Sequence, residues 1–303
     1  MKLKIFLMLL VLSLVGNLAL AAGPVNVGLS DVIATVEKSF QSGGSGQPPI
    51  SDFTADFFQR TLLAKEKREM RGDGRLAARM PSGGTPLMFH FEYYRPTQQE
   101  IISDGRSMWI YHPENREVIL SDVSFLYNRP GFGPGRDQAV NFLDGLGRIS
   151  KDFQINFAGG MHDVAGNYVL ELNPRRSMLN TRRILMVVNR ASVLERVAAK
   201  SASREQFNAS QQSAIPQQKG MMAPQMKQQT PQQKPAFAPA PFGQFGSDEF
   251  PILSTTIEDH NGNNTTMEFS NVRINNRLPQ SEFNFMIPAN VQVIRPSERN
   301  LPR

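Results

Sequence analysis

Four histidines are the side chains best suited to metal binding or proton transfer, and they are scattered along the sequence as His90, His112, His162 and His260. No two of them stand four residues apart and no HExxH pattern occurs, so the spacing of a helical zinc site is missing. Cysteine is absent altogether, which excludes thiolate metal ligands, a cysteine nucleophile and disulfide bonds. We therefore predict no metal site and no cofactor.

Other catalytic patterns are equally weak. No GxSxG, Walker loop or GxGxxG stands between a strand and a helix, and the glycine-rich segment 131–135 contains a proline that suits a flexible connection. Among the acidic residues, Asp52, Asp56 and Asp122 form no recognisable acid and base pair, and Asp104 before Gly105 is explained by a turn. The sequence therefore predicts a protein that is not an enzyme.

Large apolar side chains are more informative than the polar ones. They recur with a period of two, so each strand can present an aromatic row to one common concave side of a sheet. These rows are Phe53 and Phe57, then Phe89, Phe91 and Tyr93, then Trp109 and Tyr111. They could fill an ordinary core. They could instead line a ligand cavity, because two short helices are little cover for so wide a face.

The elements that carry these rows are predicted as short strands joined in hairpins. Asp104-Gly105 and Asn261-Gly262 are typical hairpin turns, which favours antiparallel pairing. Helical spacing of apolar residues, with Ser30 as cap, predicts one helix over Ser30 to Phe40, and a second is expected over Asp137 to Gly147. The predicted fold class is mainly β with short helices, as a sheet curled into a half-barrel with the helices over its open face.

Length and charge limit the remaining classes. The chain has 303 residues, with 33 lysines and arginines against 27 acids and a formal net charge of +6. This modest excess does not cluster as a nucleic-acid surface requires, so we predict no nucleic-acid partner. Residues 22–303 are predicted to form one domain, and we expect it to be a monomer.

The first residues have the composition of a secretory signal. Lys2 and Lys4 precede an apolar run from Ile5 to Leu20, and Ala19-Leu20-Ala21 is a small-x-small cleavage pattern. The run has about 16 residues against the ~20 of a membrane span, and Asn17 interrupts it. We expect residues 1–21 to be a signal peptide, cleaved after Ala21 or Ala22, and the mature protein to be soluble and periplasmic.

Between Ser201 and Ser247 the composition changes to glutamine, proline, alanine and methionine. Such a segment buries too little apolar area to offset its ordering entropy, so it is predicted to be a disordered insertion within the domain. It could be a tolerated surface excursion, since loop closure costs little more as a loop lengthens, or a tether for a partner.

Three motifs in order resemble one protein family. Segment 51–57, SDFTADF, is similar to its opening strand, and segment 103–113, SDGRSMWIYHP, is similar to its central SDGxxxWxYxP hairpin. Segment 257–263, IEDHNGN, with Phe283-Asn284-Phe285 and Pro288, resembles its closing strands. The family is the periplasmic outer-membrane lipoprotein carrier, LolA, and the resemblance covers about Leu29 to Pro296 except the insertion.

This resemblance implies an unclosed antiparallel β half-barrel covered by an α-helical lid, whose apolar interior shields lipoprotein acyl chains. It also implies transfer from an inner-membrane ATP-driven lipoprotein-release complex to an outer-membrane receptor lipoprotein. Arg79 partly matches the family's lid-holding arginine and is expected to bond lid carbonyls. The residues expected to bind acyl chains are Phe53, Phe57, Phe89, Phe91, Trp109, Tyr111 and Phe142.

Two other functions fit the same half-barrel. One is a regulatory lipid sensor, although such proteins usually carry a second C-terminal domain and this chain ends just after Pro296. The other is a structural envelope protein whose insertion at 201–247 is adhesive and whose core is ordinary and filled. The cargo of a carrier could be lipoproteins or other lipids.

Overall fold

Twelve strands in the described part of the chain join in a single sheet. The computed structural model describes residues 26–41, 48–123, 143, 145–178, 180–212 and 250–295. The strands are β1 Asp52–Leu63, β2 Arg68–Arg79, β3 Met88–Arg95, β4 Gln99–Ser103, β5 Ser107–His112, β6 Glu117–Asp122, β7 Phe153–His162, β8 Tyr168–Pro174, β9 Arg183–Val188, β10 Ile252–Glu258, β11 Asn264–Ile274 and β12 Gln292–Ile294.

The strand order is β12-β6-β5-β4-β3-β2-β1-β11-β10-β9-β8-β7. Neighbours pair antiparallel except β12, which pairs parallel with β6. Because β12 and β7 stand at opposite ends of this order, the sheet does not close on itself. The predicted fold class, mainly β with one unclosed sheet, is confirmed.

Hairpin turns set the register of the sheet, and aspartate carboxylates hold them. Asp104 Oδ1 accepts from the amides of Arg106 at 2.8 Å and Ser107 at 2.7 Å, which confirms the turn predicted there. Asp259 Oδ1 accepts from the amides of Asn261 at 2.7 Å and Asn263 at 2.9 Å. The Asn261-Gly262 hairpin is therefore also confirmed.

Helices pack on one side of the sheet. They are α1 Leu29–Phe40, a 3-10 turn Leu146–Arg148 that leads into α2 Ile149–Asp152, and α3 Arg190–Gln212. In α1 the N-cap is Gly28 rather than the predicted Ser30, and Asp31 Oδ2 accepts from the Gly28 amide at 3.2 Å. The predicted first helix is thus confirmed with its start one residue earlier.

Several predicted segments fall partly or wholly outside the described residues. The signal peptide 1–21 lies outside them, as does most of the helix expected over Asp137 to Gly147, whose described end contains the 3-10 turn from Leu146. The insertion was expected to begin at Ser201, but α3 continues to Gln212, so residues 201–212 are helical. No helix in the described part of the chain is long and apolar enough to cross a membrane.

Gly74 of β2 leaves no room for a side chain, because the β3 backbone and the ring of Phe57 lie close to it. A Cβ on Gly74 of β2 would lie 1.9 Å from the carbonyl oxygen of Glu92 and 3.0 Å from Cζ of Phe57. No side chain fits there without a shift of the β3 backbone. Gly74 is therefore required where β2 lies against both the Glu92 carbonyl of β3 and the ring of Phe57 of β1.

We expect Gly74→Ala to lower the free energy of unfolding by about 1–3 kcal/mol, because overpacking displaces backbone and ring together. Gly159→Ala in β7 is the matched control, since a Cβ added at Gly159 would meet no atom within 4 Å. Urea denaturation of both variants measures the difference. Equal urea midpoints for the two variants would show that the sheet accommodates a methyl group at Gly74 without loss of stability.

Candidate functional site

The register of strands β1 to β5 determines which side chains face the helices. Phe53 lies opposite Ala78, and Ala78 lies opposite Phe89 on the next strand. Phe57 lies opposite Gly74, while Leu76 lies opposite Phe91. Because partners in an antiparallel pair share a face, these side chains form one continuous concave surface.

This surface and the apolar side of the helices form one buried cluster, which we call the apolar interior. Val32 and Val36 of α1, Leu146, Ile149 of α2 and Val193 of α3 belong to it. From the strands it includes Phe53, Phe57, Leu76, Phe89, Phe91, Ile101, Met108, Leu170, Met186, Ile257 and Met267, together with Phe250 just before β10. One apolar cluster therefore connects the sheet with α1, α2 and α3.

Aromatic rings run through the apolar interior in edge and tilted contacts. The ring of Phe57 lies 5.6 Å from that of Phe91 and 4.9 Å from that of Tyr93, and Phe89 lies 5.9 Å from Phe91. Four of the predicted binding residues, Phe53, Phe57, Phe89 and Phe91, are thus brought together. They are at most 3% exposed, so the helices and neighbouring side chains cover them in this conformation.

Phe250 is a member of this network that no sequence pattern indicated. Its ring lies 4.8 Å from Phe53 and 6.0 Å from Phe40, so it links the sheet to the end of α1. A single phenylalanine between Glu249 and Pro251 has no periodic neighbours. Only the place of β10 between β9 and β11 brings the residue before that strand into the interior.

Trp109 and Tyr111 do not face the apolar interior, and the prediction that they share its side is wrong. In the β4 and β5 register Trp109 lies opposite Ile102, which in turn lies opposite His90 on the outer face. Met108 is instead the β5 residue buried in the interior. The rings of Trp109 and Tyr111 contact Phe285 on the convex side, at centroid distances of 6.4 and 5.2 Å.

Arg79 also lies on the convex side, so its expected role as lid latch is wrong. In register it stands opposite Asp52 and Met88, while its neighbours Ala78 and Met80 are buried. Its guanidinium donates to the carbonyl of Leu278 and, at 2.9 Å, to Oε1 of Gln280. Arg79 therefore fixes the segment that follows β11 rather than a helix.

That segment, residues 278–285, packs on the convex face over β2 to β5, and we call it the convex strap. Its 3-10 turn Gln280–Phe283 replaces the closing strand that the resemblance implied there. Phe283 is fully buried against Ala77 and Met88, and the guanidinium of Arg79 lies 5.1 Å from its ring centroid. The sheet thus has helices on its concave face and the convex strap over β2 to β5 on its convex face.

The helices hold one another through polar contacts. Lys200 of α3 lies 2.9 Å from Oδ1 of Asp31 in α1, and Oε1 of Glu37 accepts from the Ser150 amide of α2 at 2.8 Å. The hydrogen bond from Lys200 lowers the pKa of the Asp31 carboxyl. Against the sheet, the same helices present the apolar residues of the interior, so they form a connected cover.

The remaining predicted residue, Phe142, lies outside the described residues. Within the described part of the chain, no group of three or more histidine, aspartate or glutamate side chains is placed to hold a metal ion. What the described arrangement offers chemically is therefore an apolar surface beneath a helical cover.

Comparison with known sequences places this arrangement beside lipoprotein carriers. The model of the family described as outer membrane lipoprotein carrier protein LolA matches residues 49–219. The outer-membrane lipoprotein carrier protein of Chromobacterium violaceum is 30% identical over 146 residues, 48% of this chain and 60% of that protein. That of Actinobacillus succinogenes is 30% identical over 83 residues, 27% of this chain and 38% of that protein. The chain matches less than two thirds of the length of either relative.

Among solved structures, a LolA superfamily protein from Nitrosomonas europaea has a TM-score of 0.34 to this chain at 13% identity. The similarity covers 86% of this chain and 99% of that one. Membership of a family depends on the sequence match and not on this structural similarity.

We expect Arg79→Leu to loosen the convex strap by about 1–3 kcal/mol, because two hydrogen bonds and a cation–π contact are lost. Hydrogen exchange should accelerate at residues 278–285 and stay unchanged in α1. The control is Arg273→Leu, which removes an exposed arginine from the nearby end of β11. Unchanged exchange at residues 278–285 would contradict the role assigned here to Arg79.

A double-mutant cycle of Asp31→Asn and Lys200→Ala tests how strongly α1 and α3 are joined. The Lys200 side chain is 75% exposed, so a coupling of only about 0.2–1 kcal/mol is expected at pH 7. Because the folded pKa of Asp31 is lowered, this stability is present above the unfolded value of about 3.9 and is lost as pH falls through the folded value. Coupling that persists undiminished after Asp31 is protonated would rule out the ion pair.

Proposed function

We propose, since this chain belongs to the LolA family of outer membrane lipoprotein carrier proteins, that it shields lipoprotein acyl chains in its apolar interior during transfer between membranes. The observation that carries the proposal is the continuous concave surface of Phe53, Phe57, Phe89 and Phe91 beneath connected helices. These four phenylalanines are the proposed acyl-chain contacts. Trp109 and Tyr111 are not among them.

Acyl chains can enter only if the helices move, because the side chains of the interior are already buried against them. An unclosed sheet permits this movement, since no strand pairing must break when the cover lifts. Uncovering Val32 and Val36 costs about 1.5–3 kcal/mol per side chain. A chain of about 14 methylenes gains roughly 11 kcal/mol on leaving water, so acyl chains can replace the contacts of the helices.

Uptake and release then differ only in which partner favours which conformation. We propose that an inner-membrane ATP-driven release complex loads the open form and that an outer-membrane receptor lipoprotein takes the cargo by offering a more favourable apolar site. The carrier itself contributes binding and no covalent chemistry. A ligand shifts such an equilibrium only by its differential affinity for the two conformations, so loading must be coupled to opening.

The proposed location is the periplasm, where a carrier between the two membranes must act. The charged start, apolar run and small-residue site of residues 2–22 support export of the chain. N-terminal sequencing of the periplasmic fraction tests this proposal. A chain that retains Met1 in the membrane fraction contradicts it.

Photo-crosslinking from two adjacent positions tests the binding site. We expect a photoreactive benzoyl-phenylalanine at Phe57 to crosslink a triacylated peptide, since Phe57 faces the interior. Benzoyl-phenylalanine in place of Phe58 is the matched control, because Phe58 lies on the convex side and is 38% exposed. The unacylated peptide should crosslink at neither position.

The outcome separates a carrier from a protein with an ordinary core. Crosslinking of the acylated peptide at position 58 alone, or at neither position in variants with native circular dichroism, contradicts the proposal. Saturable binding of a hydrophobic fluorophore that the triacylated peptide displaces is a second expected result. Displacement by phospholipid alone would change the cargo class and leave the site in place.

A further inference from the structure

The topology gathers positive charge at one end of the sheet. Because the strands alternate in direction, the turns 64–67, 96–98, 113–116, 175–182 and 259–263 all lie at the same end. Their cations are Lys65, Lys67, Arg116, Arg175, Arg176 and Arg182, against the acids Glu66, Glu114 and Asp259. At the opposite end, turns 80–87, 104–106 and 163–167 and the residues that follow β9, β11 and β12 hold the cations Arg106, Arg190, Arg277 and Arg295 against Asp104 and Asp163. The first end therefore carries the larger group of cations, six in number, in its turns.

Two of the basic turns are connected through the turn 259–263. Asn263 Oδ1 accepts from the Ala64 amide at 2.9 Å, and His260 Nε2 lies 2.8 Å from the carbonyl oxygen of Met178. These contacts connect turn 64–67 to turn 259–263 and the latter to the loop 175–182. Four exposed cations on them form what we call the basic rim, namely Lys65, Lys67, Arg175 and Arg176.

The described contacts of the basic rim are with neutral oxygens: Lys65 Nζ donates to Oδ1 of Asn261 and Arg175 Nε to the carbonyl of Ser150, each at 3.4 Å. In the described part of the chain, no carboxylate lies within ion-pair distance of its four side chains, whereas the nearby Arg182 is paired with Glu258 at 2.7 Å. Exposed cations without a bound acid keep their full attraction for an anionic surface within about a Debye length. The attraction of the basic rim therefore does not have to displace an internal ion pair.

Exposed apolar side chains stand beside these cations. Leu62 and Met70, near the tip of the β1 and β2 hairpin, are 43% and 49% exposed. Their register partners are Glu69 and Thr61, so the two side chains project from opposite faces of the hairpin. Residues 68–72 of β2 also extend beyond the pairing with β3, which ends at Asp73. The hairpin tip therefore carries one apolar side chain on each face and extends past β3, while β1 stays paired with β11 as far as Leu62.

We propose that the basic rim and the β1 and β2 hairpin tip dock this chain on a bilayer that contains anionic phospholipid. Cations flanked by exposed apolar residues suit the membrane interface, where phosphate groups and acyl chains lie within a few ångströms of each other. A hairpin tip with an apolar side chain on each face can enter such a fluid layer. It offers no single flat face of the kind that a folded acidic protein would bind.

This inference does not depend on the proposed function, because it concerns the surface of the chain and not its interior. It identifies the turns 64–67 and 175–182 as the part of the chain that contacts the membrane. Each cation near an anionic leaflet contributes about a fivefold gain in affinity, and salt weakens the gain by screening. Binding should therefore fall steeply with ionic strength.

Vesicle sedimentation of the secreted chain tests the proposal. The vesicles are phosphatidylethanolamine with a quarter phosphatidylglycerol, and neutral phosphatidylcholine vesicles serve as the comparison. We expect saturable binding to the anionic vesicles at low salt and weak binding to the neutral ones. The variant Lys65→Gln/Lys67→Gln/Arg175→Gln/Arg176→Gln should bind anionic vesicles at least thirtyfold more weakly.

A matched variant removes the same charge elsewhere. Lys38→Gln/Arg106→Gln/Arg204→Gln/Arg273→Gln neutralises four exposed cations outside the basic rim and should keep more than half of the binding. Leu62→Ser/Met70→Ser should weaken binding at every salt concentration, with native circular dichroism as the folding check. Equal losses in the two quadruple variants would reduce the effect to net charge and overturn the proposal. Absence of saturable binding by the wild type would also overturn the proposal. An acidic protein would then be the partner to test for the basic rim.

Discussion

A sheet whose two edges do not meet leaves a concave apolar face that its strands cannot bury alone. Phe53, Phe57, Phe89 and Phe91 lie on that face, and each would lose about 1.5–3 kcal/mol of burial if it met water. The cover of α1, α2 and α3 therefore follows from the shape of the sheet. The same requirement makes the cover replaceable, because any apolar material of suitable shape satisfies it.

The two faces of the sheet are covered by different means. On the concave face the helices meet the strands through apolar side chains, whereas the polar contacts join one helix to another, as Asp31 does with Lys200, or join a helix to a turn at the end of the strands, as Arg175 does with Ser150. On the convex face Arg79 holds the convex strap by directed hydrogen bonds and by its place over Phe283. Hydrogen bonds fix one geometry while apolar contacts tolerate exchange, so the convex side suits a permanent cover and the concave side a movable one.

The turns at the ends of the strands form a surface that is separate from the two faces of the sheet. Turns at one end carry the basic rim, with Leu62 and Met70 beside it. Under the membrane docking proposed above, this end would meet the bilayer. Such docking would leave the apolar interior unchanged, since the charged turns and the buried faces occupy different parts of each strand.

Much of the fold is determined locally and could be predicted from the sequence. The two-residue period of β1 and β3, the aspartate turns at Asp104 and Asp259, and the apolar stripe of α1 each depend on neighbours a few residues apart. In β3 the choice of face was also local, because Phe89 and Phe91 alternate with the polar His90 and Glu92. The predicted aromatic rows of β1 and β3 therefore lie where expected.

Where the local sequence pattern fits both faces of a strand equally well, the tertiary structure determines which face points inward. In β5 both alternating sets are apolar, Trp109 and Tyr111 on one side, Met108 and Ile110 on the other, and only pairing with Ile101 and Ile102 of β4 selects which faces inward. Arg79 likewise turns outward because its register partner is Met88. Shifting a strand by one residue exchanges its two faces. The register with the neighbouring strands, and not the composition of one strand, therefore assigns these side chains to the interior or to the convex surface.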